Sequence, residues 1–122
     1  MNRNEIKGLT ALELKEMQDN NESFVIIDVR EPDETEICSI GGINIPLGLL
    51  DQHVAEIPRD KMAVMMCRSG KRSYMATLFL QQEHNFENLY NLNGGIIAYA
   101  RDVDDSLTLY WFTECPPVLK LP

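Results

Sequence analysis

Two spacings of apolar residues organise the chain. The run "SFVIIDVR" is short, rich in β-branched residues and closed by charge. It reads as a strand buried on both faces, as the strands of parallel sheets are. "KMAVMMC" repeats the pattern, and "ENLYNL" supplies a further strand. In "GGINIPL" a short strand is expected over residues 43–45, stopped by Pro46. Between these runs the apolar spacing lengthens to that of helices. "TALELKEMQDNN" opens on Thr10 with Glu13 three residues on, a capping-box pattern, and Leu14 and Met17 mark its buried stripe. "EPDETEI" places Pro32 where a helical first turn accepts it. Leu50, Val54 and Ile57 predict one helix face, closed by Pro58. "GKRSYMATLFLQQEHNF" is the longest helical pattern, with Met75, Leu78, Phe79 and Gln82 on one face and Asn85 suited to a left-handed end. "GGIIAYARDV" predicts the last helix. Strands alternating with helices predict an α/β domain with a largely parallel sheet and right-handed crossovers. The final "WFTECPPVLKLP" has no period and is expected to be an extension packed on the domain or on a partner.

At 122 residues there is room for one domain, large enough to need no disulfide or metal staple. The chain carries 11 Lys+Arg against 19 Asp+Glu, a net charge of −8. That argues against a nucleic-acid or anionic-membrane partner. Cys38, Cys67 and Cys115 are odd in number and widely spaced, with neither His53 nor His84 near them in sequence. Neither a disulfide framework nor a zinc site is indicated. A reducing, cytoplasmic compartment is expected, since no apolar run reaches membrane-spanning length and the N-terminus lacks a signal-peptide core.

Against this acidic background "MMCRSGKRSY" is locally basic. Cys67 ends a predicted strand, and Gly70 precedes a predicted helix. Ligands of open parallel sheets bind at such strand ends. Loop N–H groups, the positive end of the following helix, and Arg68, Lys71 and Arg72 would all favour a thiolate over a thiol. The plainer alternative is a buried structural cysteine beside a solvated basic loop. Cysteine phosphatases place their arginine one position later, where this chain has Ser73. Here the cradle closes at Arg72, over residues 67–72, and is expected to be too tight for phosphate and suited to a sulfane sulfur.

"FVIIDVREPDE", "GGINIPL", "MMCRSGKRSYMAT" and "NLYNLNGGIIAYARDVD", in this order, resemble a single-domain rhodanese, a sulfurtransferase. "ICSIGGINIPL" and "GGIIAYARDVDDSL" are similar to the rhodanese domains fused to enzymes that activate ubiquitin-like sulfur carriers. The resemblance runs from about Leu9 to Tyr110, giving a domain over residues 1–110 and an extension over 111–122. It implies a five-stranded, mostly parallel sheet flanked by helices on both faces, with Cys67 as persulfide carrier. It makes Arg68, Ser69, Gly70, Lys71, Arg72 and Ser73 the substrate loop. The donor would be thiosulfate or a persulfide-bearing protein, and the acceptor a thiol, cyanide or a sulfur-carrier protein, with no metal or organic cofactor. Thr35, Ser39 and Tyr99 depart from the family's usual aromatic, histidine and tryptophan, which touches the sub-type only. A non-catalytic binding module and a cysteine phosphatase or arsenate reductase are the alternatives.

Asp28 and Arg30, in "DVR", are expected to form a structural pair supporting the site. Cys38 reads as a small core residue, and Met62, Met65 and Met66 as core filler. Cys115 reads as a bystander, with a resolving thiol as the alternative. His53 and His84 read as solvated, and "EPDETE" and "DVDD" as solvated helix faces.

Overall fold

The computed structural model describes residues 4–107 and residue 109. Strand β1 is Gly8–Leu9, followed by helix α1 (Ala11–Asp19), β2 (Phe24–Asp28), α2 (Pro32–Ile37) and β3 (Ile43–Asn44). A 3-10 segment, Leu47–Glu56, leads to β4 (Met62–Met66), α3 (Lys71–His84), β5 (Leu89–Leu92) and α4 (Gly95–Asp102). The strands form one five-stranded parallel sheet in the order β1-β5-β4-β2-β3.

The centre of the sheet follows from composition. β4 lies between β2 and β5 and pairs with β2 from Phe24 and Met62 through Asp28 and Met66. Ala63, Val64, Met65 and Met66 are buried on alternating faces, so the run must be apolar throughout. On one face, Leu14 and Met17 of α1 and Ile96 and Tyr99 of α4 pack with Ile26, Val64 and Met66. On the other, Ala76 and Leu80 of α3 pack with Leu50, Ile57, Ile27 and Met65. Cys38, an expected core residue, lies in the first of these clusters.

The local signals hold. Thr10 Oγ1 accepts the Glu13 N–H at 3.1 Å, and the Glu13 carboxylate accepts the Thr10 N–H at 2.9 Å. Pro32 stands in the first turn of α2, and Asn85 ends α3 at φ 60°.

Three features differ from the sequence reading. β1 has two residues and pairs with β5; so short a strand has no period to detect. Leu50 is buried on 3-10 turns broken at His53 (φ −123°) rather than on an α-helix, and Ile57 is buried in extended backbone just past their end. Docking these side chains on the sheet outweighs the weak helical preference of so short a segment. In α3 the expected face is the outer one: Met75 is 55% exposed and Gln82 exposed, with Leu78 and Phe79 half-buried. Ser73, Ala76, Thr77, Leu80 and Gln81 face inward instead. Small and polar side chains there let the helix approach the sheet closely and bring its first turn onto Cys67.

Among the described residues no helix is long and apolar enough to cross a membrane. The proposed 111–122 extension and Cys115 lie outside the described residues.

Candidate active site

Cys67 follows directly on β4, at the carboxyl end of the central strand, and is fully buried. The chain turns through residues 68–70 and enters α3 at Lys71. Gly70 makes this turn possible. Its φ is +98°, and a Cβ there would lie 3.1 Å from the Gly94 nitrogen.

Three donors converge on the sulfur. Gly70 N–H donates to Cys67 Sγ at 3.1 Å, and Ser73 N–H at 3.4 Å. Ser73 Oγ lies 3.4 Å from Sγ and 2.5 Å from Asn91 Oδ1. The serine has one hydroxyl hydrogen for two acceptors. A neutral thiol can therefore donate to Oγ while Oγ donates to Asn91; a thiolate can take the hydroxyl hydrogen itself. Asn91 is held in turn, since its Nδ2 donates to the Gly70 carbonyl at 3.2 Å. The sulfur thus sits at the N-terminal end of a fourteen-residue helix, where backbone dipoles favour negative charge.

Helix α4 holds the other side of the loop. Ile96 N–H donates to the Cys67 carbonyl at 2.9 Å, and Ile97 N–H to the Arg68 carbonyl at 3.1 Å. Across a trans peptide the next N–H points opposite the carbonyl, so the Arg68 and Ser69 amides point away from α4. Gly95 makes the approach possible: at φ +60° its Cβ would stand 2.4 Å from the Arg68 oxygen and 2.5 Å from the Cys67 oxygen. Gly95→Ala is expected to cost about 2–4 kcal/mol of stability. It should also lower the reactivity of Cys67 at least about tenfold by displacing the loop. Urea unfolding and initial rates on the refolded variant check both.

The cationic residues divide. Lys71 and Ser69 are exposed and Arg68 is half-buried. Arg72, counted above among the cations that polarise the cradle, is committed elsewhere. Its Nη1 and Nη2 donate to the Glu34 carboxylate at 2.7 and 2.8 Å. Glu34 itself is a correction: within "EPDETE" it is not on a solvated face but 5% exposed, while Glu31, Asp33 and Glu36 are exposed. Sequence reasoning also missed Asn91, whose only local signal is an amide inside an apolar strand.

Asp28 and Arg30 form a buried pair behind the site. Arg30 Nη2 and Nε donate to the Asp28 carboxylate at 2.7 and 2.9 Å. Arg30 also donates to the Cys38 carbonyl at 2.9 Å and the Glu34 carbonyl at 3.4 Å, tying down the end of α2. Burial pushes the Cys38 thiol up, and the guanidinium 4.0 Å away offsets this only in part. Cys38 thus stays a thiol at neutral pH. His53 meets Glu56, and His84 meets Asp51 at 3.1 Å, both on the surface. Among the described residues no group of three or more His, Cys, Asp or Glu is placed to hold a metal.

A parallel α/β domain that presents a buried cysteine to the N–H groups of a helix start defines a class of α/β domains with a loop-borne cysteine. The comparisons narrow it. The rhodanese-like domain family matches residues 10–102. The chain is 33% identical over 105 residues to the probable adenylyltransferase/sulfurtransferase MoeZ of Mycobacterium tuberculosis, covering 84% of this chain and 26% of that protein. It thus spans about a quarter of that relative's length. It is 39% identical over 83 residues to a sulfurtransferase of Allochromatium vinosum, covering 67% of this chain and 77% of the relative. A rhodanese-related protein from Thermoplasma volcanium superposes with a TM-score of 0.71 at 31% identity, covering 80% and 93% of the two chains. The chain belongs to the rhodanese-like family of sulfurtransferases.

Proposed function

We propose that the protein moves a sulfane sulfur through a persulfide on Cys67. The convergence of the Gly70 and Ser73 N–H groups and the Ser73 hydroxyl on Cys67 Sγ carries this reading. These donors are already aimed at the sulfur before reaction and cost no reorganisation when it attacks.

The Cys67 thiolate attacks the outer sulfur of the donor, thiosulfate or a protein persulfide. A sulfur–sulfur bond forms to Cys67 as the donor's own sulfur–sulfur bond breaks. The electron pair of the broken bond leaves on sulfite, or on the donor's thiolate. An acceptor thiolate, on a small molecule or on a sulfur-carrier protein, or cyanide then attacks the outer sulfur of the persulfide and returns Cys67 as thiolate. Two displacements on one nucleophile give ping-pong kinetics. The α3 N-terminus and the loop amides hold the persulfide between them, while the exposed Lys71 and the half-buried Arg68 attract the anionic donor. Asp28 and Arg30 pair with each other and support the strand end. A reducing, cytoplasmic setting suits a chain whose two described cysteines are both free.

Incubation with thiosulfate, followed by intact-mass and peptide analysis under non-reducing conditions, should add the mass of one sulfur atom to Cys67. An unmodified Cys67, or sulfur found on Cys38 instead, overturns the assignment.

A further inference from the structure

Resting on that transferase reading, we infer that Glu34 sets the donor preference of the site by cancelling the charge of Arg72. The motif "CRSGKRS" alone advertises three cations for an anionic donor. The folded protein pairs Arg72 with a carboxylate. Glu34 grips Arg72 in a two-point contact, at 2.7 and 2.8 Å, with side chains only 7% and 16% exposed. Such a pair is short, directional and poorly screened. To a ligand nearby it presents a dipole, whose field falls off faster than that of a bare guanidinium.

The carboxylate is held where it is. Glu34 Oε2 also accepts the Glu31 N–H at 2.9 Å, closing the capping box of α2. The Glu34 carbonyl accepts from Arg30, which Asp28 anchors. The pair is therefore built into the start of α2 and held from both its side chain and its backbone. Arg72 immediately precedes Ser73, whose N–H and hydroxyl meet the reacting sulfur, so the pair is anchored in the first turn of the helix that cradles Cys67.

The consequence concerns charge on the donor. Thiosulfate is a dianion and releases sulfite, while a persulfide of cysteine carries one net negative charge and releases a thiolate. A site with one cation cancelled loses more attraction for the dianion than for the monoanion. Glu34 thus tilts the site toward persulfide donors and away from thiosulfate.

The test is the ratio of kcat/KM for thiosulfate to kcat/KM for cysteine persulfide. Glu34→Gln should raise it about fivefold, as expected for one added charge at several ångströms. The gain should fall mainly in the KM for thiosulfate and shrink with added salt. Glu34→Asp, which keeps the charge, should hold the ratio within about twofold of the starting protein. The Glu34→Gln/Arg72→Gln double variant removes both charges together and should also keep the ratio within about twofold; it carries the test if the single variant does not fold. An equal fall for both donors in Glu34→Gln, with the ratio unmoved, overturns the inference and makes Glu34 purely structural. Selective loss of thiosulfate in the double variant overturns it too, because Arg72 would then act on the donor despite its carboxylate. Sulfur on Cys67 with an unmoved ratio leaves the transferase reading standing. No sulfur on Cys67 from either donor removes both.

Discussion

Cys67→Ser is expected to abolish sulfur transfer, with thiosulfate-to-cyanide turnover falling at least about a thousandfold. The serine oxygen remains protonated at neutral pH and cannot carry a sulfane sulfur as a cysteine does. The three donors around position 67 would still be satisfied, because a hydroxyl accepts from Gly70 and Ser73 as a sulfur does. The variant should therefore fold normally and melt within a few degrees of the starting protein. Loss of turnover with an intact melting curve separates a missing nucleophile from a damaged fold. Substantial turnover in the serine variant would sink the assignment of Cys67.

Arg30→Met is expected to be the most destabilising single change near the site, at about 3–5 kcal/mol. Arg30 is fully buried and Asp28 is 2% exposed, so removing the guanidinium strands a carboxylate in the interior. It also frees the Cys38 and Glu34 carbonyls, which accept from the same side chain. In a domain of this size the loss lowers the melting temperature by about 10–20 °C. Urea unfolding gives the free energy directly, and a loss below about 1 kcal/mol would contradict the pairing. Transfer per folded molecule should fall far less than in the Cys67 variant, because Arg30 holds the end of α2 rather than the sulfur.

The two variants separate two layers of the site. Cys67 is chemistry on a loop, and Arg30 is the frame that seats the helix beside that loop. Glu34 belongs to both: its backbone is held by Arg30 and its carboxylate holds Arg72.

Much of this was legible in the chain because it depends on neighbours in sequence. The apolar runs of β2 and β4, the Thr10 capping box, Pro32 in a first turn and Asn85 at a helix end all express bonds within a few residues. Cys67 was legible for the same reason, since a strand end, a glycine and a helix start follow in order. The partners of the loop were not legible, because sheet order brings them together. β2 pairs with β4, so the helices that leave their carboxyl ends begin side by side, and Glu34 meets Arg72 across 38 residues. β5 flanks β4 on the other side, which brings Asn91 to Ser73 and the first turn of α4 to the Cys67 carbonyl. The inner face of α3 was misjudged because its apolar stripe pointed outward, while close approach to the loop called for small side chains. By itself the sequence determined where a nucleophile would stand; strand pairing decided which charges around it remain available to a substrate.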